Sequence, residues 1–158
     1  AGSYWYKTAR ELFAGEQRAM ARFFSQFGLF READGRLSWV GRIRSANYDN
    51  LEYTLQAVYE HDHPNNDSFG GSIKVYAVRP ALEDLSGGQA IPHTLVDSMG
   101  HLYICTARPE DFFAARRGQI GRVTTAASSI AWAAKWLTAF EMWLEGEITT
   151  AQFEGEEL

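Results

Sequence analysis

Cys105 is the only thiol in the 158-residue sequence, and it closes the stretch PHTLVDSMGHLYIC that also holds His93 and His101. A thiolate attacks acyl carbonyls well, provided that it can be reached and that a neighbour stabilises its negative charge. His93, His101 and Arg108 are the groups nearby in sequence that favour a thiolate. The chemistry on offer is therefore nucleophilic acyl transfer through a covalent cysteine intermediate. The plain alternative is a buried cysteine acting as a small hydrophobe, since cysteine is among the residue types most often buried. Local sequence leaves both open.

Other chemistries fit less well. His61, His63, His93, His101 and Cys105 are potential metal ligands, but the HDH at 61–63 lacks the paired-cysteine or helical-histidine spacing of zinc sites. His61 and His63 are read as parts of a solvated turn, and no metal or cofactor is expected. The glycine pairs in FGG and SGGQ lack the strand–GxxxxGK[ST]–helix setting of a phosphate loop, and there is no nucleophile elbow. A formal charge of −5 and a pI near 5.4 argue against a nucleic-acid partner. No apolar run approaches the roughly 18 residues needed to span a bilayer. With one cysteine and no secretory signal, a reducing cytoplasm is the expected setting.

The elements that must position this stretch can be read from periodicity. Thr8-Ala9-Arg10-Glu11 has the form of a capping box opening a helix. Leu12, Ala19, Met20, Phe23, Phe24 and Phe27 follow at helical spacing, and Gly28 is the expected stop. Arg10, Glu16, Arg18 and Arg22 form its solvated face. From Leu37 the period becomes two: LSWVGRIR, LEYTLQAVYE and SIKVYAVRP alternate as three strands joined by turns, an antiparallel meander. Pro80 ends the third, and about twenty residues without strong periodicity lead to Gly100, a length more often functional than idle. VTTAASSIAWAAKWLTAFEMWLEG then reads as a long helix capped by Thr124 or Thr125 and ended by Gly146. Its stripe is Ile130, Ala133, Ala134, Leu137, Phe140 and Leu144. Trp132, Trp136 and Trp143 widen the apolar surface, as expected of a helix packed on more than one side. Residues 4–150 are expected to form a single α+β domain, with Ala1-Gly2-Ser3 a scar of tag removal, 151–158 an acidic tail and its EGEEL end, 154–158, frayed.

This element order, with LSWVGRI, LEYTLQAVYE, SIKVYAVRP and then PH…GHLYIC, resembles the ubiquitin-conjugating enzyme fold over nearly the whole chain. Trp136-Leu137, Phe140-Glu141, Trp143-Leu144 and Gly146 are similar to the C-terminal helix of bacterial E2-like members found in CBASS antiphage operons. The resemblance implies an N-terminal helix, an antiparallel β-meander, an irregular active-site segment and a long C-terminal helix. It implies a transferase in which Cys105 takes a protein C-terminus as a thioester and passes it to an acceptor, with His93 and His101 as candidate proton carriers or loop-shaping groups. The implied partner is the C-terminus of a cGAS-like nucleotidyltransferase, or a ubiquitin-like protein. Two departures bear on this. The eukaryotic His-Pro-Asn is His93-Thr94-Leu95 here, and the usual family spacing from His93 and Gly100 lands on Tyr103, two residues before Cys105. A loop longer by two residues is the expectation, because Cys105 is the sole cysteine and a short loop insertion costs little. The alternative is a non-catalytic scaffold of the same fold that binds a nucleotidyltransferase or ubiquitin-like protein.

Overall fold

The computed structural model describes residues 3–65, 71–106 and 124–156. In chain order these form α1 (Trp5–Thr8), α2 (Arg10–Phe23), β1 (Gly28–Arg31), β2 (Leu37–Arg44), β3 (Glu52–Tyr59), β4 (Ile73–Arg79), α3 (Leu82–Leu85), β5 (Thr94–Val96), β6 (Leu102–Ile104), α4 (Ala126–Leu144) and a short helical turn, Gln152–Glu156. The strands make one antiparallel sheet in the order β1-β2-β3-β4-β6-β5. The α+β class, the meander β2–β3–β4 and the long C-terminal helix are as expected of a ubiquitin-conjugating-enzyme-like fold.

Residues paired across an antiparallel sheet share a face. The row Leu29, Trp39, Ala57, Val75 and Ile104 therefore runs across five strands on one side. All but Leu29 are buried. Against this side α4 sets Ile130, Ala133, Leu137 and Phe140, all buried. Each large side chain so buried contributes about 1.5–3 kcal/mol. Trp136 and Trp143 enclose Phe153 at 5.3 and 5.8 Å between ring centres, so α4 does pack on more than one side. Phe153 is itself fully buried, so the segment leading into the acidic end is docked through that residue.

Several local expectations change. The capping box at Thr8 does not form: the Thr8 hydroxyl donates back to the carbonyls of Tyr4 and Trp5, and α2 begins after Ala9 with no side-chain cap. The box forms instead at Thr125, whose hydroxyl accepts from Ser128 N–H at 3.0 Å while Ser128 accepts from Thr125 N–H at 3.2 Å. Helix α2 stops at Phe23, and Gly28 opens β1, a four-residue strand too short to show alternation. Further on, Gly41 is required by contact: a Cβ there would lie 2.5 Å from the Phe27 ring and 2.9 Å from its Cα.

Glu16 is not on a solvated face. It is 3% exposed and accepts from Tyr59 O–H at 2.7 Å and from the first helical N–H of α4, Ala126, at 2.8 Å. Trp39 Nε1–H donates to the Tyr59 oxygen at 2.8 Å and completes the chain. Burial raises the Glu16 carboxyl above its ordinary value, opposed by the bonds from Ala126 and Tyr59. A carboxylate at a helix N-terminus is favoured by the helix dipole, so Glu16 ties α2 to the start of α4.

His63 also departs from expectation. His61 is exposed beside Asp34, but His63 is 3% exposed, with its ring 4.6 Å from Trp5, 4.9 Å from Tyr59 and Nδ1 2.8 Å from Ser72 Oγ. Burial pushes it down to about 4 from an ordinary 6.5. The unfolded chain therefore takes up this proton first: the contribution to stability is full above about pH 6.5 and is lost as pH falls toward 4. Denaturant titrations should show His63→Asn losing about 2 kcal/mol less than wild type between pH 7 and 5, at roughly 1.4 kcal/mol per pH unit. Identical losses in the two proteins would refute the buried neutral imidazole.

Candidate active site

The segment expected to be irregular is largely built. After α3, β5 and β6 form a hairpin that joins the meander through β4, with Val75 opposite Ile104. Its tip is held by Asp97: one carboxylate oxygen accepts Met99 N–H at 2.9 Å and His101 N–H at 2.8 Å, the other accepts Tyr76 O–H at 2.8 Å. Gly100 takes φ +84°, which the tight turn requires and L residues resist. Burial opposes ionisation of Asp97, but the bonds from His101, Tyr76 and Met99, with the His101 ring nearby, hold its carboxyl below the ordinary value.

The three candidate residues are not gathered at one point. His101 is exposed at the hairpin tip, with Nδ1 3.7 Å from Asp97. Cys105 follows the far end of β6, beyond Leu102–Ile104, so roughly 13 Å of extended chain separates the two at ~3.3 Å per residue. His93 is adjacent to Cys105 through its backbone, its carbonyl accepting Cys105 N–H at 3.2 Å. Its imidazole turns elsewhere, bonding through Nε2 to the Glu154 carbonyl and lying 6.4 Å from the Phe153 ring. The left-handed φ of +56° at His93 accompanies that turn. Arg108 lies outside the described residues.

Tyr103 and Cys105 differ in access. Tyr103 is 4% exposed, its ring 5.8 Å from Tyr76 and 5.5 Å beneath the Lys74 ammonium. Cys105 is half-buried. Burial raises the Tyr103 hydroxyl, and the charge of Cys105 is the next cause, ahead of Glu60 and Asp97, so the sulfur and the phenol are within electrostatic reach. Ile104 points into the core, and strand alternation returns Cys105 to Tyr103's face, away from α4.

That face also carries a charge network absent from the sequence-based candidates. Lys74 Nζ lies 3.4 Å from Glu60, which accepts from Arg36 at 2.9 Å, and Arg36 also reaches Asp34 at 2.8 Å. Alternation in SIKVYAVRP already sets Lys74 and Tyr76 opposite to Ile73 and Val75. The pairing of β4 with β6, which brings them against Tyr103, has no sequence signal.

Among the described residues no group of three or more His, Cys, Asp and Glu side chains could hold a metal ion. None of their helices is long and apolar enough to cross a membrane. Searches of curated proteins and of solved structures found no match. A family model described as Type II CBASS E2 protein matches residues 16–150.

Proposed function

Because the chain belongs to the Type II CBASS E2 protein family, with an E2-like role in CBASS, we propose that Cys105 carries the C-terminal acyl group of a cGAS-like nucleotidyltransferase as a thioester and transfers it to an acceptor, priming antiphage signalling. The Cys105 thiolate attacks an already activated acyl carbon, the S–C bond forms and the activating group departs. An acceptor amine then attacks the same carbon, the C–S bond breaks with its electron pair returning to sulfur, and the amine nitrogen loses its proton. A thioester suits this relay because thiolate leaves readily and the carbonyl stays reactive toward amines.

The observation that carries this reading is the contrast in access two residues apart. Tyr103, where the family spacing falls, is packed under Lys74 against Tyr76, whereas Cys105 is half-exposed at the end of β6 with its backbone held by the His93 carbonyl. Its neighbouring N–H groups are candidate donors to the oxyanion of the tetrahedral intermediate. His93 and His101 have different parts here: His93 fixes the chain beside the thiol, and His101, at the hairpin tip, is available to a docked partner.

Incubating the protein with the nucleotidyltransferase and a source of activated acyl groups should give one adduct on a non-reducing gel. Its mass should equal the two chains less one water, and neutral hydroxylamine should cleave it. An adduct that resists hydroxylamine, or no adduct when the partner's C-terminus is demonstrably activated, would defeat the proposal.

A further inference from the structure

The register of the sheet reaches past the last formal pair. Val75 is opposite Ile104, and the Tyr76–Tyr103 ring contact at 5.8 Å shows the same register one residue to one side. One residue to the other side it sets Lys74 against Cys105. One contact agrees with this: the Lys74 ammonium leans 5.5 Å over the ring of Tyr103, the neighbour of Cys105 two residues back on the same chain. Residues opposed across antiparallel strands have Cβ atoms roughly 4.5–5.5 Å apart.

We propose that the Lys74 ammonium, opposed to Cys105 across β4 and β6, is the fixed positive charge that keeps the Cys105 sulfur anionic for attack and receives its negative charge when the thioester is broken. This rests on the thioester reading above. Lys74 stays protonated throughout: when the acceptor amine displaces the acyl group, the C–S electron pair goes to sulfur and the amine's proton goes to solvent. A lysine paired with Glu60 at 3.4 Å is suited to that constant role and unsuited to being the acceptor amine.

Among the described residues, the charged and titratable groups around this point come from several strands. Lys74 and Tyr76 lie on β4, Glu60 follows β3, Arg36 precedes β2, Tyr103 lies on β6, His93 precedes β5 and Asp97 follows it. Arg36 and Lys74 both pair with Glu60, at 2.9 and 3.4 Å, and among the described residues it is Lys74 that the register of β4 sets against Cys105. Glu60 opposes the effect, so its removal should act in the reverse sense to loss of Lys74.

The test is the pH profile of iodoacetamide alkylation of Cys105, followed by intact mass, in wild type, Lys74→Met, Lys74→Arg and Glu60→Gln. The alkylation midpoint should rise by about one pH unit in Lys74→Met, stay within a few tenths in Lys74→Arg, and fall in Glu60→Gln. A merely structural lysine would not produce opposite shifts at matched circular dichroism. Adduct formation with the nucleotidyltransferase at pH 7 should drop roughly tenfold in Lys74→Met and recover as pH rises. Superimposable profiles for wild type and Lys74→Met, or an isopeptide bond found on Lys74, would overturn this assignment and leave the thioester reading intact. Shifted profiles with no adduct in any protein would keep Lys74 as the thiolate's counter-charge and remove the thioester reading instead.

Discussion

Cys105→Ala is expected to abolish the hydroxylamine-sensitive adduct, a loss on the order of 10³-fold or more, because the sequence holds no second thiol to form the thioester. Cys105→Ser is the more informative change. A serine hydroxyl is a weak nucleophile without a base to activate it, and the imidazole of His93, whose backbone adjoins Cys105, is engaged with the Glu154 carbonyl. Any adduct that Cys105→Ser forms should accumulate slowly as an oxygen ester resistant to thiols, and it should pass little acyl group onward. Both variants should keep the wild-type fold, since Cys105 is half-buried and lies outside the hydrophobic core. The measurement is a time course by intact mass with and without dithiothreitol. A thiol-sensitive adduct persisting in Cys105→Ala would exclude this residue as carrier.

The largest loss of stability is expected at Glu141, far from the thiol. This carboxylate is 1% exposed on α4 and accepts from Tyr53 O–H and Ser45 O–H at 2.6 Å each, and from the Asn47 backbone and side-chain nitrogens at 3.2 and 2.9 Å. It thereby fastens the β2–β3 turn and the start of β3 to the last helix. Glu141→Ala strands a fully buried tyrosine hydroxyl that water cannot reach, and leaves a half-buried serine and the exposed Asn47 to find new partners. The unmet buried donor of Tyr53 costs roughly 1–3 kcal/mol and the lost bonds of Ser45 and Asn47 about 1 kcal/mol each, which sums to about 4 kcal/mol here. That corresponds to a melting temperature lower by roughly 10 °C for a chain of this size. Glu141→Gln keeps one acceptor oxygen and should recover about half. Desolvation, with the bond and charge of Glu141, raises the Tyr53 hydroxyl well above its ordinary value, so it stays a donor throughout the accessible pH range. Thermal melts within about 1 kcal/mol of wild type for Glu141→Ala would contradict this account.

How legible the fold was depended on element length and on the range of the contacts. β2, β3, β4 and α4 announce themselves because each repeats its period several times, and their buried residues, Tyr53, Leu55, Ala57, Ile73, Val75, Ile130 and Phe140 among them, fall where alternation or helical spacing puts them. β1, β5 and β6 are four, three and three residues long, which is too short for any period to appear. Glu16 and His63 were misread for another reason. A charged or polar residue beside other polar residues reads as solvent-facing, and only tertiary pairing with Ala126, Tyr59 or Ser72 reveals otherwise. At the candidate site the types were visible and their grouping was not. His101 and Cys105 are four apart in sequence yet at opposite ends of a strand, while Lys74, distant in sequence, lies over Tyr103 from the neighbouring strand. By contrast, Glu141, noted only through a resemblance, has a physical account: it is the carboxylate clamp beside the buried Trp136, Leu137, Phe140 and Trp143 of α4.

The bonds made by the two buried carboxylates close very long loops. Glu16 meets Ala126 across 110 positions, and Glu141 meets Tyr53 and Ser45 across 88 and 96. Contacts so remote form only after most of the chain has collapsed, because the loop entropy must be overcome first. They act chiefly as brakes on opening: weakening either carboxylate should accelerate spontaneous unfolding while leaving the refolding rate nearly untouched. Proteolytic lifetime, more than equilibrium melting, is then where such changes would surface in a cell.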